Sequence, residues 1–221
     1  MNHEKGSQIR LGSDGTIAGV IEIRPTSPET AIGAAALQRA CFPAPFPEDL
    51  LFSGDDVAEH IRRFPEGQFV AVHEGLVVGS CTNMLASRED WDAHRGWADA
   101  IGGLSLARHN PDGTVLYGVD ISIHPEFRGQ GLARRFYQKR FDLVQELGLE
   151  FYGTVCRLPG ASESGLSAET FAQQVLAGER IDSPLTPFLR IGLRYGGLIH
   201  GYMDDEESLD AGAILTWEPT R

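Results

Sequence analysis

Three cysteines in 221 residues, at positions 41, 81 and 156, are too few and too odd in number for a disulfide framework. Widely spaced free thiols point to a reducing compartment, and the expected location is the cytoplasm. Basic residues are scarce as well: 19 Lys and Arg stand against 31 Asp and Glu, a formal charge of −12. That balance argues against nucleic acid as the main partner, which would require basic patches. No apolar run approaches the ~18 residues of a membrane span, so no membrane partner is expected. Seven histidines are scattered without paired spacing, which argues against a metal site. Residues 1–17 are polar and glycine-rich, lacking the apolar segment of a leader, and read as a flexible tail before a single domain over 18–221.

What the chain does have is a strand, a glycine-bearing loop and a long amphipathic helix in succession. Residues 114–123 (TVLYGVDISI) are rich in the β-branched and aromatic residues that suit a strand. Leu132, Phe136, Leu143 and Leu147 then share one helical stripe, widened by Tyr137, Phe141 and Val144, until Gly148 offers a stop. Between them Gly129 and Gly131 let the backbone approach a ligand, and the first helical turn leaves N–H groups without internal partners. Such a terminus attracts phosphates, and Arg128, Arg134 and Arg135 crowd it with positive charge. The bland alternative is a surface turn with ordinary basic residues.

Elsewhere, residues 18–24 alternate as a first strand. Ser27-Pro28-Glu29 opens a helix to about Cys41, and the proline-dense run 42–47 predicts an extended crossing. A helix over 55–64 buries Val57, Ile61 and Phe64, and Glu74-Gly75 joins the strands of a hairpin. The polar stretch 86–113, with Trp91 and Trp97, is either a lid over a substrate or an insertion whose tryptophans tuck against the core. A strand follows over 149–158 and a helix from Ser167. Residues 197–202 and 212–217 close the chain as two strands across an acidic, solvated tip at 204–210. The exposed edge of that last hairpin leaves a homodimer open.

Arg128-Gly129-Gln130-Gly131-Leu132-Ala133, led in by His-Pro-Glu-Phe, resembles the Arg/Gln-x-x-Gly-x-Gly/Ala signature of the GNAT superfamily of acetyl-CoA-dependent N-acetyltransferases. The likeness in element order runs from about residue 21 to 219. It implies an α+β fold: a mixed, mostly antiparallel central sheet, helices on both faces, and a V-shaped splay between the parallel strands 115–123 and 149–155. Insertions at about 86–113 and 159–187 exceed the family's minimal core. The resemblance implies acetyl-CoA as co-substrate, its pyrophosphate held by Arg128, Gly129, Gln130, Gly131, Leu132, Ala133 and Arg134. Its thioester arm would run along Ile121, Ser122 and Ile123.

Acetyl transfer to an amine requires a base, because an alkyl amine with a pKa near ~10 is mostly protonated at neutral pH. Strand alternation places Gly118, Asp120, Ser122 and His124 on one face. A strand buried on both faces should be apolar, so Asp120 stands out as either a base or a carboxylate tied to backbone or arginine. His124, before Pro125, is the weaker candidate. The tyrosine that many family members carry near the last hairpin corresponds to Phe188, which cannot donate a proton. Tyr195 or Tyr202 is left for that role, or water. The expected function is acetyl transfer to an amine of a small molecule or protein, with a non-catalytic acyl-CoA-binding or regulatory module as the alternative.

Overall fold

The computed structural model describes residues 19–220, and the tail expected at 1–17 lies outside them. Local signals start the helices where the sequence places them. Helix α1 (Pro28–Cys41) begins with proline at its first position, and Thr30 Oγ1 accepts the Ser27 N–H at 2.9 Å. Helix α2 (Gly54–Arg63) has a reciprocal box: the Asp56 N–H donates to Ser53 Oγ at 3.1 Å and the Ser53 N–H to Asp56 Oδ2 at 2.8 Å.

Strands β1 (Ile21–Pro25), β2 (Phe69–His73), β3 (Leu76–Ala86), β4 (Val115–Ile123), β5 (Phe151–Arg157), β6 (Arg194–Ile199) and β7 (Gly212–Trp217) form one sheet in the order β1-β2-β3-β4-β5-β7-β6. Every neighbouring pair is antiparallel except β4 and β5. Helix α5 (Leu132–Glu146) supplies the crossover between those two, as a parallel pair requires. One face of the sheet packs on α1 and α2 through Ala31, Ala34, Phe52 and Val57. The other packs on α5 through Tyr137, Phe141 and Val144, against Leu116, Tyr152 and Leu215. The α+β architecture with helices on both faces is as expected.

Two expectations need correction, and of the two readings of 86–113 the second holds, with its tryptophans against the core. Residues 42–47 do not cross in extended form: the Phe46 N–H donates to the Pro43 carbonyl at 3.1 Å, and the turn brings the rings of Phe42 and Phe46 to 4.9 Å. The stretch 86–113 is packed structure containing α3 (Arg88–Asp92) and α4 (Trp97–Ile101), with Trp91, Trp97, Ile101 and Leu106 all buried on the α1 face. The acidic tip is not simply solvated: Asp205 is buried and takes both Arg157 Nε and Nη2 at 2.6 Å, so β5 supplies its counter-charge. Three helices lie between β5 and β6, α6 (Ala161–Ser164), α7 (Ala168–Leu176) and α8 (Leu185–Ile191).

Candidate active site

The site begins where β4 and β5 stop pairing. Their register runs from Val115↔Phe151 to Gly118↔Thr154 and no further, although β4 continues to Ile123 and β5 to Arg157. Thr154 Oγ1 donates to the Gly118 carbonyl at 2.8 Å at the apex of this fork. Glycine is required at 118 because a Cβ there would run into the Tyr152 hydroxyl. Beyond the apex the facing edges of both strands lack ladder partners, and backbone groups so released call for other partners.

A bulge sits at the same place. Thr82 pairs with Asp120 and Asn83 with Gly118, leaving Val119 as the extra residue. This shift overturns the simple alternation of faces. Val115, Tyr117 and Val119 pack on the α1 face, while Ile121 and Ile123 pack with the α5 face. Asp120 is thereby separated from Gly118 and turned, with Ser122, toward Gln38 and Cys41 of α1. The bulge is fastened from both faces. Arg140, 1% exposed, donates through Nε to Asn83 Oδ1 and through Nη2 to the Asp120 carbonyl, each at 2.7 Å, with the Thr82 carbonyl at 3.3 Å. From the opposite face Trp97 Nε1 donates to the Val119 carbonyl at 3.3 Å.

The loop before α5 has the character that an anion site needs. Gly131 caps the helix at φ 77°, no side chain caps it, and its first turn holds no acid. The amides of that turn are therefore unsatisfied. Gly129 and Gly131, both at φ 77°, border open space. Arg128 is braced by its Nε donating to the Ile123 carbonyl at 3.1 Å. Arg135 is drawn away to the Ile21 carbonyl at 2.9 Å and does not join the loop.

Fork and loop open into one cleft of about 800 Å³. Ile121, Ser122, Ile123, Arg128, Gly129, Gly131, Leu132, Ala133 and Arg134 all line it, while Gln130 does not. Asp120 lines it too. Its Oδ2 accepts from Ser122 Oγ at 3.0 Å, and Arg140 bonds its main chain and acts on its carboxyl only through space, without an ion pair. Burial pushes the Asp120 carboxyl above the usual carboxylate range, with hydrogen bonds from Ser122 and Gln38 and the nearby charge of Arg140 opposing. Burial likewise pushes the adjacent Cys41 thiol up to about 11, which leaves it protonated.

The other candidates separate. His124 Nδ1 accepts the Glu126 N–H at 3.4 Å and caps the turn. Tyr195 packs beside the α5-face core and is not among the lining residues. Tyr202 lines the cleft, but its hydroxyl pairs with that of Tyr117 at 3.3 Å. Phe188 also lines it. Trp97, Tyr137 and Arg140, also in the lining, escaped the sequence reading as functional residues. Arg140 carried a signal, since it lies three residues after Tyr137 and four after Phe136, a charge inside an apolar stripe. Phe42, Phe46, Leu50 and Met203 make the far end apolar, with Arg157 4.8 Å over the Phe46 ring.

Residues 31–159 match the model of the acetyltransferase (GNAT) family. In sequence the chain is similar to an uncharacterized N-acetyltransferase, YkwB, of Bacillus subtilis (strain 168), 34% identical over 83% of this chain and 82% of that one. It is 29% identical to a probable hydrolase, YhcX, of the same organism, over 82% of this chain but only 35% of that one. Among solved structures, the GphF GNAT-like decarboxylase in complex with isobutyryl-CoA superposes with a TM-score of 0.76 at 25% identity, covering 89% of this chain and 98% of that one. The loading GNATL domain of CurA from Lyngbya majuscula gives 0.76 at 20% identity, over 90% and 98% of the two chains. The acetyltransferase yncA from Salmonella typhimurium, named there as putative and solved with acetyl-CoA, gives 0.52 at 12%, over 90% and 93%.

Proposed function

The chain belongs to the GNAT acetyltransferase family, which uses acetyl-CoA, and we propose that it transfers an acetyl group from that thioester directly to an amine. The observation that carries this reading is the fork: unpaired strand edges, an uncapped helix start and a carboxyl without an ion-pair partner share one cleft. Those groups fit the coenzyme. The amides at the head of α5, with Arg128 and Arg134, would hold its phosphates. The released edges at Ile121, Ser122 and Ile123 would hold its amide-bearing arm. Acetyl-CoA supplies the activated acyl group. Asp120 takes a proton from the incoming amine, a task for which a carboxyl raised by burial is better matched than an exposed one. We infer operation in the cytoplasm, which three free thiols support.

One observation favours a second reading. The neighbour that superposes at 0.76 with 25% identity is a decarboxylase holding isobutyryl-CoA, so acyl-CoA chemistry without an amine is the competitor. Calorimetric titration with acetyl-CoA, followed by thiol release with and without a panel of amines, tests the proposal. Binding and amine-dependent release are expected. Carbon dioxide release from a carboxylated acyl-CoA, with no amine-dependent thiol, would replace it with the second reading. Binding without either reaction would leave an acyl-CoA-binding module.

A further inference from the structure

The cleft has two arms, and the coenzyme accounts for one of them. Tyr137 and Phe188 line it on the α5 face, whereas Trp97, Val119 and Tyr202 line it on the α1 face. It passes from one face to the other through the fork, where β4 and β5 no longer pair. With phosphates at the head of α5 and the thioester arm along the freed strand edges, the α1-face arm is left for the group that receives the acyl unit.

That arm has an aromatic wall fixed from behind. The turn over 42–47 sets the rings of Phe42 and Phe46 4.9 Å apart, and the Arg157 guanidinium lies 5.8 Å and 4.8 Å from their centroids. Arg157 is itself clamped: its Nε and Nη2 donate to Asp205 at 2.6 Å, and Nη2 also to Glu207 Oε2 at 2.8 Å. The rings are therefore in place before anything binds, which spares an ordering cost. Leu50 and Met203 extend the apolar lining, and a thioether adapts well to an aromatic partner. The proposed base is adjacent, since Asp120 lies beside Cys41, whose successor in the chain is Phe42. Charge changes sign along the cleft. Arg128 and Arg134 serve the phosphate end, but at the aromatic wall the single charge of Arg157 faces two carboxylates. An anionic group on the acceptor would meet excess negative charge there, and a neutral apolar group would not.

We propose that the acceptor is a small amine with an uncharged, ring-sized apolar body and no carboxylate: its nitrogen meets Asp120, and its body lies against Phe42 and Phe46 beside Leu50 and Met203. This rests on the acetyl-transfer reading above. The whole cleft, about 800 Å³, has the volume of a small-molecule site and must also hold the coenzyme's arm, so the acceptor is a small molecule. In the transfer the N–C bond forms as the C–S bond breaks, and the electron pair leaves with sulfur. The proton lost from nitrogen passes to Asp120 and returns through solvent to the thiolate. Amide and coenzyme A thiol are the only products.

The test measures thiol release at saturating acetyl-CoA with ethylamine, phenethylamine, phenylalaninol and phenylalanine, in the wild type and in Phe46→Ala. Phe46 is partly exposed, so its truncation keeps the fold. In the wild type kcat/KM should be about 30-fold higher for phenethylamine than for ethylamine. It should be about tenfold higher for phenylalaninol than for phenylalanine, which carries a carboxylate where the alcohol has a neutral hydroxymethyl group. In Phe46→Ala the ring preference should shrink to about threefold. No ring preference in the wild type, equal use of phenylalanine and phenylalaninol, release only with amines outside this set, or an undiminished preference in Phe46→Ala overturns the inference alone. An equal loss for ethylamine and phenethylamine in the variant also overturns it, because the ring would then serve the coenzyme. Absence of acetyl-CoA binding by calorimetry, or of thiol release with any amine of a wider panel, overturns the acetyl-transfer reading with it.

Discussion

From Val115 to Gly118, strand β4 is hydrogen-bonded on both edges and no side chain is more than 4% exposed. From Val119 to Ile123 the same strand is paired only to β3, kinks through a bulge, and carries Asp120 and Ser122 into a cleft. The composition of the two halves differs little, apart from one aspartate and one serine. What differs is the neighbour: β5 is held to the first half and released from the second. A strand paired on both edges can only be core, and a strand freed on one edge has backbone and side chains to spend on a ligand.

The sharpest way to break this contrast is to remove what holds the bulge. Arg140→Met orphans Asn83 Oδ1 and the carbonyls of Thr82 and Asp120, which should cost about 3 kcal/mol. For a chain of this length that is about 9 °C in Tm, measured by calorimetry. An unchanged Tm would mean that β4 bends without the arginine.

A second substitution leaves the fold and strikes the released half. Asp120→Asn should lower kcat about 10²-fold. In the wild type, kcat/KM should decline as pH falls through a raised carboxyl pKa, and this acid limb should begin above the usual aspartate range and vanish in the variant. The sign for stability is opposite to that of a salt-bridged acid. A folded-state pKa above the unfolded one means that the ionised carboxyl costs stability at neutral pH and that the cost is relieved on acidification. Asp120→Asn should therefore not lower Tm at pH 8. A matching acid limb in the variant would return Asp120 to a structural role.

The smallest effect separates the loop from the strand. At Gly129 a Cβ meets nothing but sits at φ 77°, so Gly129→Ala should cost about 1 kcal/mol, or about 3 °C in Tm. Because the open space there is the proposed phosphate site, affinity for coenzyme A should drop about tenfold. Equal affinity in the folded variant would move the phosphates elsewhere.

The loop was legible because its signals are local: two glycines, a helical stripe and basic residues within ten positions. The fork was legible only through resemblance to a family. The bulge was not legible at all. Val119 is an ordinary strand residue, and the shift comes from pairing with β3 and from Arg140 and Trp97, 21 and 22 residues away along the chain. The same holds for the acidic tip, which is buried at Asp205 because Arg157, 48 residues earlier, comes to meet it. Composition reports a residue's own preference for water, and a partner brought in by the fold can reverse it.

Among the described residues, the four residue pairs that join β4 to β5 are also the only ladder between a four-stranded half, β1 to β4, and a three-stranded half, β5 to β7. Mechanically the sheet is two leaves on a short hinge, with α5 strapped across it from the Ile21 carbonyl on one leaf to the Tyr152 ring on the other. A ligand lying in the fork and satisfying both free edges would act as a partial eighth strand. It would turn two leaves into one continuous ladder, so occupancy should register as slower amide exchange on both leaves at once, far beyond the atoms it touches.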